Sequence, residues 1–386
     1  MRILMTFLGY IGNGSSMSGG DTYFIEISRR LLKRHDVTVL TTPNGAILLN
    51  NQKLMTNIII ISFPFIGRVP WFFDYFLRAL FIFFKFPSLS QDFNVVISTS
   101  PLLPDIITTA VISTIKKIRP VIYHHGFTTP IMVNKYNFVL RFFNIAIQRR
   151  LLTWILKRFS FVIFALPMAK DDLTILGVPE EHILGMINGI DTTAINLTEA
   201  KNYSFEGVFM GSIIPRKGVF DLPDIWRKVV DKFPNAKLAV LGTGPPSLLN
   251  KLKHEIEVKK LQGNIFFLGS ILGQEKYAIL KSSKVFVFPS YSESWAISVS
   301  EAMYCGLACV LYNSEAYDAY LDGVLEVPVG DKEEFAETII NLFSNENRRS
   351  EIANKAKIIA SKFDWEKIVL AHTQNLNKIV IETEKR

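Results

Sequence analysis

The sequence predicts an α/β protein with two Rossmann-like, doubly wound parallel-sheet domains that face a central cleft. Short apolar runs alternate with helical patterns along the 386 residues, and the alternation restarts once, after the polar stretch "NGIDTTAINLTEAKNYS". Hydrophobic residues make up 49% of the chain and charged residues 20%, a composition that supports a large core and argues against disorder. A chain of this length exceeds one ordinary domain and suits two.

Six apolar runs in the first half are typical of buried strands. They are "RILMTFLG", "DVTVLTT", "NIIIISF", "NVVISTS", "PVIYHHG" and "FVIFALP". Helical patterns such as "DTYFIEISRRLLKRH" lie between several of them. Continuous apolar strands that alternate with helices predict a parallel sheet covered on both faces.

The second half repeats this organisation. Its strands are "FEGVFMGS", "AKLAVLGTG", "NIFFLGS", "KVFVFPS" and "LACVLYN". Its helices fit "FDLPDIWRKVVDKF", "PSLLNKLKHEIEVKKL", "QEKYAILKSS" and "SVSEAMYCG". We take the polar stretch between the halves as the linker and predict an N-terminal domain over residues 1–187 and a C-terminal domain over residues 188–364.

Glycine-bearing loops follow several of the predicted strands: "GNGSSMSGGD", "GSIIPRKG", "GTGPP" and "GSILGQ". Glycine permits tight turns there, and exposed N–H groups suit phosphate oxygens. Neither a dinucleotide fingerprint nor a P-loop is present, because "GNGSSM" lacks the third glycine and a ribose-binding acid. Parallel sheets bind ligands at the carboxyl ends of their strands, so we expect the ligand at these loops.

Cysteine usage and hydropathy exclude several classes of protein. Cys305 and Cys309 are too few for a disulfide framework and lack companions for a zinc site, so we expect a reduced, intracellular protein. The first residues resemble a signal peptide, but a buried strand followed by a glycine loop explains them better. The most apolar region, residues 58–86, is interrupted by charged residues before it could span a membrane.

The net charge of +8 is unevenly distributed. No acidic residue occurs from Ile106 to Lys170, where ten basic residues fall. A helical pattern in this region has a basic side made of Arg141, Arg149, Arg150, Lys157 and Arg158. Two interpretations remain open: an ordinary solvated face, or a surface for anionic lipid or a polyanionic acceptor, which the aromatic residues 70–86 favour. No helix-turn-helix, zinc or RNA-binding signature is present, so we do not expect a nucleic-acid partner.

Two acids stand eight positions apart in "YSESWAISVSEAMYCG", residues 291–306. We predict that Glu293 lies in the loop after a strand, that the helix begins near Ser294 or Trp295, and that Glu301 lies about two turns along it. Eight helical residues rise about 12 Å, too far for a catalytic dyad, so the acids suit opposite parts of one elongated ligand. Upstream, Arg216 and Lys217 form a cation pair that could hold a diphosphate, although a solvated basic turn is the alternative.

These residues resemble the retaining family 4 glycosyltransferases of the GT-B fold. The stretch "ES-x6-EAMYCG" is similar to the E-x7-E motif of that family. Further similarities are "GGDTYFIEISRRLLKRHDVTVLTT", "NGID", "GSIIPRKG" and "FDWEKIVLAHTQNLNKI". The resemblance implies that a closing helix, about residues 365–386, packs back onto the N-terminal domain.

The resemblance also implies roles for the matching residues. Glu301 would bind the ribose and Glu293 the donor sugar, while Lys217 with Arg216 would neutralise the diphosphate. His125, rather than His124, would lie beside the transferred sugar as a catalytic residue. The full donor-binding set is Gly20, Arg216, Lys217, Gly242, Glu293, Ser294, Trp295, Ala296, Ile297 and Glu301.

Two positions depart from the pattern of the family. Ser212 stands where an arginine is usual, so Arg216 could compensate for it. Ser294 and Ala296 stand where glycines are usual, with Trp295 between them, which puts the identity of the donor sugar in doubt.

The sequence therefore predicts a glycosyltransferase that moves a hexose from a UDP- or GDP-linked sugar to a glycan acceptor. No D-x-D motif occurs, so we expect no metal or other cofactor. The basic N-terminal domain motivates the hypothesis of a lipid-linked acceptor and peripheral contact with the cytoplasmic membrane face. Alternatives are a soluble disaccharide synthase, a sugar-nucleotide epimerase, or a non-catalytic sugar- or nucleic-acid-binding protein; Lys217, Glu293 and Glu301 together argue against the last.

Overall fold

The computed structural model describes residues 1–10, 17–62, 77–78, 91–126 and 149–385. The chain divides into two compact units. Unit 1 comprises Met1–Asn188 together with Trp365–Arg386, and unit 2 comprises Gly189–Asp364. The chain thus leaves unit 1 once and returns to it once.

The described part of unit 1 contains a seven-stranded sheet in which all neighbouring strands are parallel. Its strands are β1 (Arg2–Phe7), β2 (Asp36–Thr41), β3 (Asn57–Ile60), β4 (Val95–Ser98), β5 (Pro120–His124), β6 (Val162–Ala165) and β7 (Ile183–Gly185). The order β3-β2-β1-β4-β5-β6-β7 is that of a doubly wound sheet, with its switch point between β1 and β4. The six predicted strands are confirmed, and β7 was not predicted.

Helices connect these strands, as parallel pairing requires. They are α1 (Gly19–Leu31), α2 (Pro43–Asn51), α3 (Leu103–Lys116) and α4 (Pro167–Ile175), and residues 149–158 are also helical. A capping box fixes the start of α1: Ser18 Oγ accepts from the Asp21 N–H at 3.2 Å, and Asp21 Oδ2 accepts from the Ser18 N–H at 2.7 Å.

Unit 2 contains a six-stranded sheet in its described residues, again entirely parallel. Its strands are β8 (Gly207–Met210), β9 (Leu238–Leu241), β10 (Ile265–Gly269), β11 (Val285–Phe288), β12 (Ala308–Tyr312) and β13 (Val324–Val327). The order β10-β9-β8-β11-β12-β13 puts the switch point between β8 and β11. A crevice at the carboxyl ends of these two strands is where such sheets bind ligands.

The helices of unit 2 follow the predicted alternation. They are α5 (Thr192–Leu197), α6 (Leu222–Lys232), α7 (Pro246–Val258), α8 (Gly273–Lys281), α9 (Ile297–Tyr304), α10 (Lys332–Ser344) and α11 (Glu346–Ala360). The short helix α5 lies inside the stretch that we expected to be linker. The Asp191 carboxylate caps the start of this helix by accepting a hydrogen bond from the Ala194 N–H at 2.9 Å. The polar composition of the stretch predicted a linker, so this cap was not recognised in the sequence.

A last helix, α12 (Trp365–Glu384), packs within unit 1. Its Glu366 pairs with Lys33 at 2.9 Å, and its Glu382 pairs with Arg119 at 3.0 Å. At the level of the core, the Tyr123 hydroxyl and His372 Nε2 are hydrogen-bonded at 2.9 Å. The helix is therefore part of the packing of β5 rather than an appendage.

The two ends of unit 2 meet beside each other. The Ile190 N–H donates to the Phe363 carbonyl at 2.7 Å, and Ile190 and Asp364 form a parallel bridge. Thr192 also donates to the Asp364 carboxylate. Unit 2 is therefore closed on itself where the chain enters and leaves.

No helix among the described residues has the length and the hydropathy needed to cross a membrane. The same part of the chain holds no group of three or more His, Cys, Asp or Glu side chains arranged to bind a metal ion.

Candidate active site

The loops that follow β8 and β11 meet at the switch point of unit 2. After β8 the chain makes a 3-10 turn over Pro215–Lys217, and Gly218 then takes a positive φ of 65°. A Cβ atom on Gly218 would lie 1.6 Å from the Pro289 carbonyl oxygen, so only glycine fits this close approach. The Tyr291 N–H donates to the Arg216 carbonyl at 2.9 Å, which joins the two loops through their backbones.

This junction brings Lys217 and Glu293 together. Lys217 Nζ lies 2.6 Å from Glu293 Oε1, and the Ser290 hydroxyl donates to the same oxygen at 2.5 Å. Glu293 is only 6% exposed. Burial lowers the pKa of Lys217, and the charge of Glu293 partly opposes that shift. The lysine and the carboxylate therefore compensate each other's charge in a largely dehydrated position.

Arg216 lies next to the same carboxylate. Its Nη1 donates to the Ser292 carbonyl and is 3.8 Å from Glu293 Oε1. Ser212, at the position where the family usually has an arginine, is exposed. The structure thus brings Arg216, Lys217 and Glu293 into one cluster, and their contact with one ligand stays a prediction.

The helix that carries Glu301 starts later than predicted. α9 begins at Ile297, and Ala296 before it has φ −93° and ψ 89°, so the prediction of a start at Ser294 or Trp295 was wrong. Residues 294–296 continue the loop instead, because no side chain there caps the helix. Glu301 therefore lies about one turn inside α9, and the helical rise of about 12 Å between the two acids does not apply.

Glu301 has its own lysine. Lys276 Nζ lies 2.7 Å from Glu301 Oε1, and the Tyr277 hydroxyl donates to the same oxygen at 3.2 Å. Both partners come from α8. The sequence did not indicate that Lys276 and Tyr277 contact Glu301, because the two helices meet only in the folded structure. Glu301 is 7% exposed, so it repeats the arrangement of Glu293: a buried carboxylate with a lysine on one oxygen.

The short segment between the two acids was predicted to contact the donor. Ser294 and Ile297 are half-buried, while Ala296 is buried. The Trp295 ring packs against Tyr320 and Phe363, with ring centroids 5.7 and 5.2 Å apart. The indole belongs to an internal aromatic cluster, so its predicted contact with the donor stays a prediction.

The backbone at Gly242 lies in close contact with the backbone at Gly211. Its φ is 145°, and a Cβ atom would lie 1.9 Å from the Gly211 carbonyl oxygen. The Gly242 N–H donates to the Gly269 carbonyl at 2.7 Å and is thereby already used. The contact explains why glycine is needed here, and a contact with the donor stays a prediction.

Unit 1 places Gly20 against His125. A Cβ atom on Gly20 would lie 3.0 Å from His125 Cδ2, and the ring of Tyr23 lies edge-on to His125 at 5.4 Å. Both ring nitrogens of His125 are buried without a hydrogen-bond partner among the described residues. Burial lowers the pKa of His125 to about 4, so the imidazole is neutral at pH 7.

His124 has a different environment. It closes β5, is fully buried, and has a pKa lowered to about 3 by burial and then by His125 and Arg149. His125, and not His124, faces Gly20.

The helical residues 149–158 have one exposed basic face. Arg150, Lys157 and Arg158 are exposed on it, and Trp154 between them is 59% exposed. Arg149 is turned away, half-buried and 4.0 Å from Asp172. Arg141, the remaining residue of the predicted surface, lies outside the described residues.

Family models match both halves of the chain. The model described as Glycosyltransferase Family 4 matches residues 17–194, and the model described as Glycosyl transferases group 1 matches residues 198–358. The first match covers α1 and the histidine pair, and the second covers both lysine–glutamate pairs. The family resemblance seen in the sequence is therefore supported in both units.

Curated relatives match over part of their length. A phosphatidyl-myo-inositol mannosyltransferase of Mycolicibacterium smegmatis is 27% identical over 187 residues, which is 46% of this chain and 47% of that protein. The chain spans between a quarter and about half of the length of the first relatives that it matches.

Solved structures match over nearly the whole chain. Anabaena HepE in complex with UDP and glucose has a TM-score of 0.75 at 16% identity, covering 98% of this chain and 100% of that chain. Sucrose-phosphate synthase from Thermosynechococcus elongatus has a TM-score of 0.76 at 15% identity, covering 99% of each. At such identities the likeness establishes the fold, and the predicted GT-B fold is confirmed.

Proposed function

We propose that this chain, a glycosyltransferase by the models that match both its halves and GT-B in fold, transfers a hexose from a nucleotide sugar to a glycan acceptor. The observation that carries the proposal is the pair of buried carboxylates in unit 2, each held by a lysine. Glu293 follows β11, at the edge of the sheet where ligands bind.

The two acids fit different parts of such a donor. A carboxylate accepts hydrogen bonds from vicinal hydroxyls, and both acids have one oxygen, Oε2, that takes no hydrogen bond from the described residues. We assign Glu301 to the ribose and Glu293 to the hexose, as the resemblance implies. The solved UDP complex of the structurally similar HepE supports a UDP-linked sugar, and a GDP-linked sugar is the alternative.

Lys217 and Arg216 suit the departing diphosphate. As the bond between the sugar C1 and the phosphate oxygen breaks, negative charge develops on the leaving group and positive charge on the sugar. Cations held in a dehydrated position stabilise the developing negative charge strongly, because little water screens them. In our proposal these side chains, rather than a bound metal, supply that charge.

The proposed stereochemical course is retention. The acceptor hydroxyl attacks C1 on the face that the diphosphate leaves, its oxygen bonds to C1, and its proton passes to the departing phosphate oxygen. The role of His125 beside the transferred sugar rests on the resemblance, with its neutral, unpartnered ring as support.

The exposed face of residues 149–158 supports a lipid-linked acceptor and peripheral contact with the cytoplasmic membrane face. Three exposed basic side chains share this helical segment with an exposed indole, and tryptophan prefers the depth of lipid headgroups. Anionic lipid complements the charge of this face.

A thermal-shift screen against UDP, GDP and ADP sugars tests the donor. A bound donor must raise the melting temperature, by an amount that follows its concentration relative to its Kd. We expect one nucleotide to stabilise the protein, and the matching sugar nucleotide to be consumed in a transfer or hydrolysis assay. If no nucleotide sugar shifts the melting temperature and none is consumed, the proposed function is wrong.

Liposome co-sedimentation tests the membrane surface separately. The triple variant Arg150→Gln, Lys157→Gln, Arg158→Gln should lose binding to anionic vesicles, and wild-type binding should weaken in high salt. A matched control replaces three exposed lysines of unit 2, Lys253, Lys260 and Lys362, with Gln. Equal losses in both variants, or binding unchanged by salt, would contradict the assignment.

A further inference from the structure

An aspartate at the start of α6 does not act as a helix cap. Asp221 directly precedes α6, a position where the side chain of an aspartate usually accepts a hydrogen bond from a backbone N–H of the first helical turn. The Asp221 side chain makes no such bond. Because Asp221 is only 7% exposed, its carboxylate needs partners elsewhere.

Two tyrosine hydroxyls and a lysine contact this carboxylate. The hydroxyls of Tyr291 and Tyr312 both donate to Asp221 Oδ2, at 2.5 and 3.0 Å. Lys332 Nζ lies 3.3 Å from Asp221 Oδ1 and 2.7 Å from Asp224 Oδ2, so the lysine has a second acid of its own. Burial, and then the bond to Asp221, raise the pKa of Tyr291 to about 12, so its hydroxyl stays protonated and donates at pH 7.

Tyr291 belongs to the loop that carries Glu293. It stands between Ser290, whose hydroxyl donates to Glu293 Oε1 at 2.5 Å, and Ser292, whose carbonyl accepts from Arg216 Nη1. Both neighbours of Tyr291 thus contact the charged cluster of the candidate site. A shift of this tyrosine would move both of those contacts.

Backbone bonds complete a closed set of contacts. The Tyr291 N–H donates to the Arg216 carbonyl, and the Asp221 N–H donates to the Gly218 carbonyl, each at 2.9 Å. Residues 216–218 join these two bonds along the chain, and the bond from the Tyr291 hydroxyl to Asp221 closes the set. Displacing a catalytic group by about 1 Å can lower a rate by about 100-fold, so a contact that fixes two site loops against each other bears on catalysis.

We propose that Asp221 is a positioning residue: through the Tyr291 hydroxyl it fixes the loop after β11 against the loop after β8, so that Glu293 and Arg216 keep the geometry that transfer requires. The inference rests on the proposed function. Neither Asp221 nor Tyr291 needs to contact the donor. Tyr312 bonds to the same carboxylate oxygen from the end of β12, outside both loops, and therefore provides the control.

Two variants that each remove one hydroxyl test the proposal. Tyr291→Phe should lower the kcat of donor hydrolysis about 10-fold, the effect of one hydrogen bond to a charged group. Tyr312→Phe should leave kcat within about twofold, although it should lower the melting temperature at least as much, since Tyr312 is 0% exposed and Tyr291 is 40% exposed. The probe is UDP-glucose, replaced by a GDP- or ADP-linked sugar if the wild type consumes that one instead.

A double-variant measurement shows whether the Tyr291 hydroxyl acts through Asp221. In an Asp221→Ala background, Tyr291→Phe should lower kcat less than about twofold further, because its acceptor is absent. A further loss of about 10-fold would mean that the hydroxyl acts on the donor itself, and the inference would be wrong.

The single variants can also overturn the inference while leaving the proposed function intact. Wild-type kcat in Tyr291→Phe would do so, as would equal losses of kcat in Tyr291→Phe and Tyr312→Phe, since a merely structural role predicts that the two variants behave alike. A wild-type protein that neither binds nor consumes any of the three kinds of sugar nucleotide would overturn both.

Discussion

Lys217 and Glu293 form a 2.6 Å ion pair between the loop after β8 and the loop after β11. These strands are neighbours in space although the starts of their loops, Gly211 and Pro289, are 78 positions apart in the sequence. The pair is therefore a product of the strand order, and its partners come together only when the sheet has formed. The same two side chains stabilise the junction and carry the charges that we assign to catalysis.

Removing the lysine should affect stability and rate in different ways. Lys217→Ala removes the cation nearest to the buried Glu293 carboxylate and leaves it Arg216 at 3.8 Å, which we expect to lower the free energy of unfolding by about 3 kcal/mol. The double variant with Glu293→Gln should recover much of that loss, as denaturant titration can measure. In kinetics, Lys217→Ala should lower kcat by about 100-fold or more with a smaller effect on nucleotide binding. A variant with the wild-type kcat would show that Lys217 does not serve the leaving group.

Glu301 should act mainly on nucleotide affinity. Glu301→Ala removes the hydroxyl acceptor assigned to the ribose, so we expect the Kd for the nucleoside diphosphate to rise about tenfold or more. Calorimetric titration measures this directly. Glu275→Ala is a matched control on the adjacent helix, since Glu275 pairs with Lys201 at the surface. An unchanged Kd in Glu301→Ala would refute the ribose assignment.

Gly218 should tolerate no side chain. Gly218→Ala forces a non-glycine residue into a positive φ and into the Pro289 carbonyl, so the loop carrying Glu293 must move. We expect a loss of about 2 kcal/mol or more in unfolding free energy, together with lower activity. Gly263→Ala is the control, because a Cβ there meets nothing within 4 Å. Equal melting temperatures for the two variants would disprove the constraint.

Acid should destabilise unit 1 through His372. Burial lowers its pKa from 6.5 to about 3, so between these pH values the unfolded chain binds a proton that the folded protein does not. The stabilisation is complete above pH 6.5 and declines by about 1.4 kcal/mol per pH unit as the pH falls towards 3. His372→Gln keeps an acceptor for Tyr123 but cannot be protonated, so its melting temperature should vary less between pH 6.5 and 4.

The other buried titratable groups of unit 1 are present in both the wild type and His372→Gln. Their effects on the pH dependence are therefore the same in both proteins. His124 and His125 act in the same direction as His372. Asp105 acts in the opposite one, because burial raises its pKa to about 7 and acid neutralises it. Parallel pH profiles for the wild type and His372→Gln would mean that His372 does not contribute.

Local patterns were sufficient to predict the sheets. Strands such as β8 and β11 are short apolar runs bounded by glycine or proline. This local pattern predicts a strand without any knowledge of the tertiary structure. The start of α9 was not predictable in this way, because Ser294–Ala296 carries no cap and the aromatic cluster around Trp295 decides its path. Tertiary packing overrode local preference there.

The acids of the site were predictable, and their partners were less so. Glu293 and Glu301 stand in one motif, and Lys217 lies beside a glycine turn. Lys276 and Tyr277 have no local signature, since their partner Glu301 lies 25 and 24 residues further along the chain. Side chains that act through tertiary contacts become visible only once the fold is known.

Unit 2 is an insertion between Asn188 and Trp365, closed at its ends by the contact between Ile190 and Phe363. The whole of unit 2 is therefore translated before α12. The contacts of Tyr123 with His372 and of Arg119 with Glu382 can form only once α12 has been translated. Unit 1 can therefore complete its packing at β5 only after all of unit 2 has been translated.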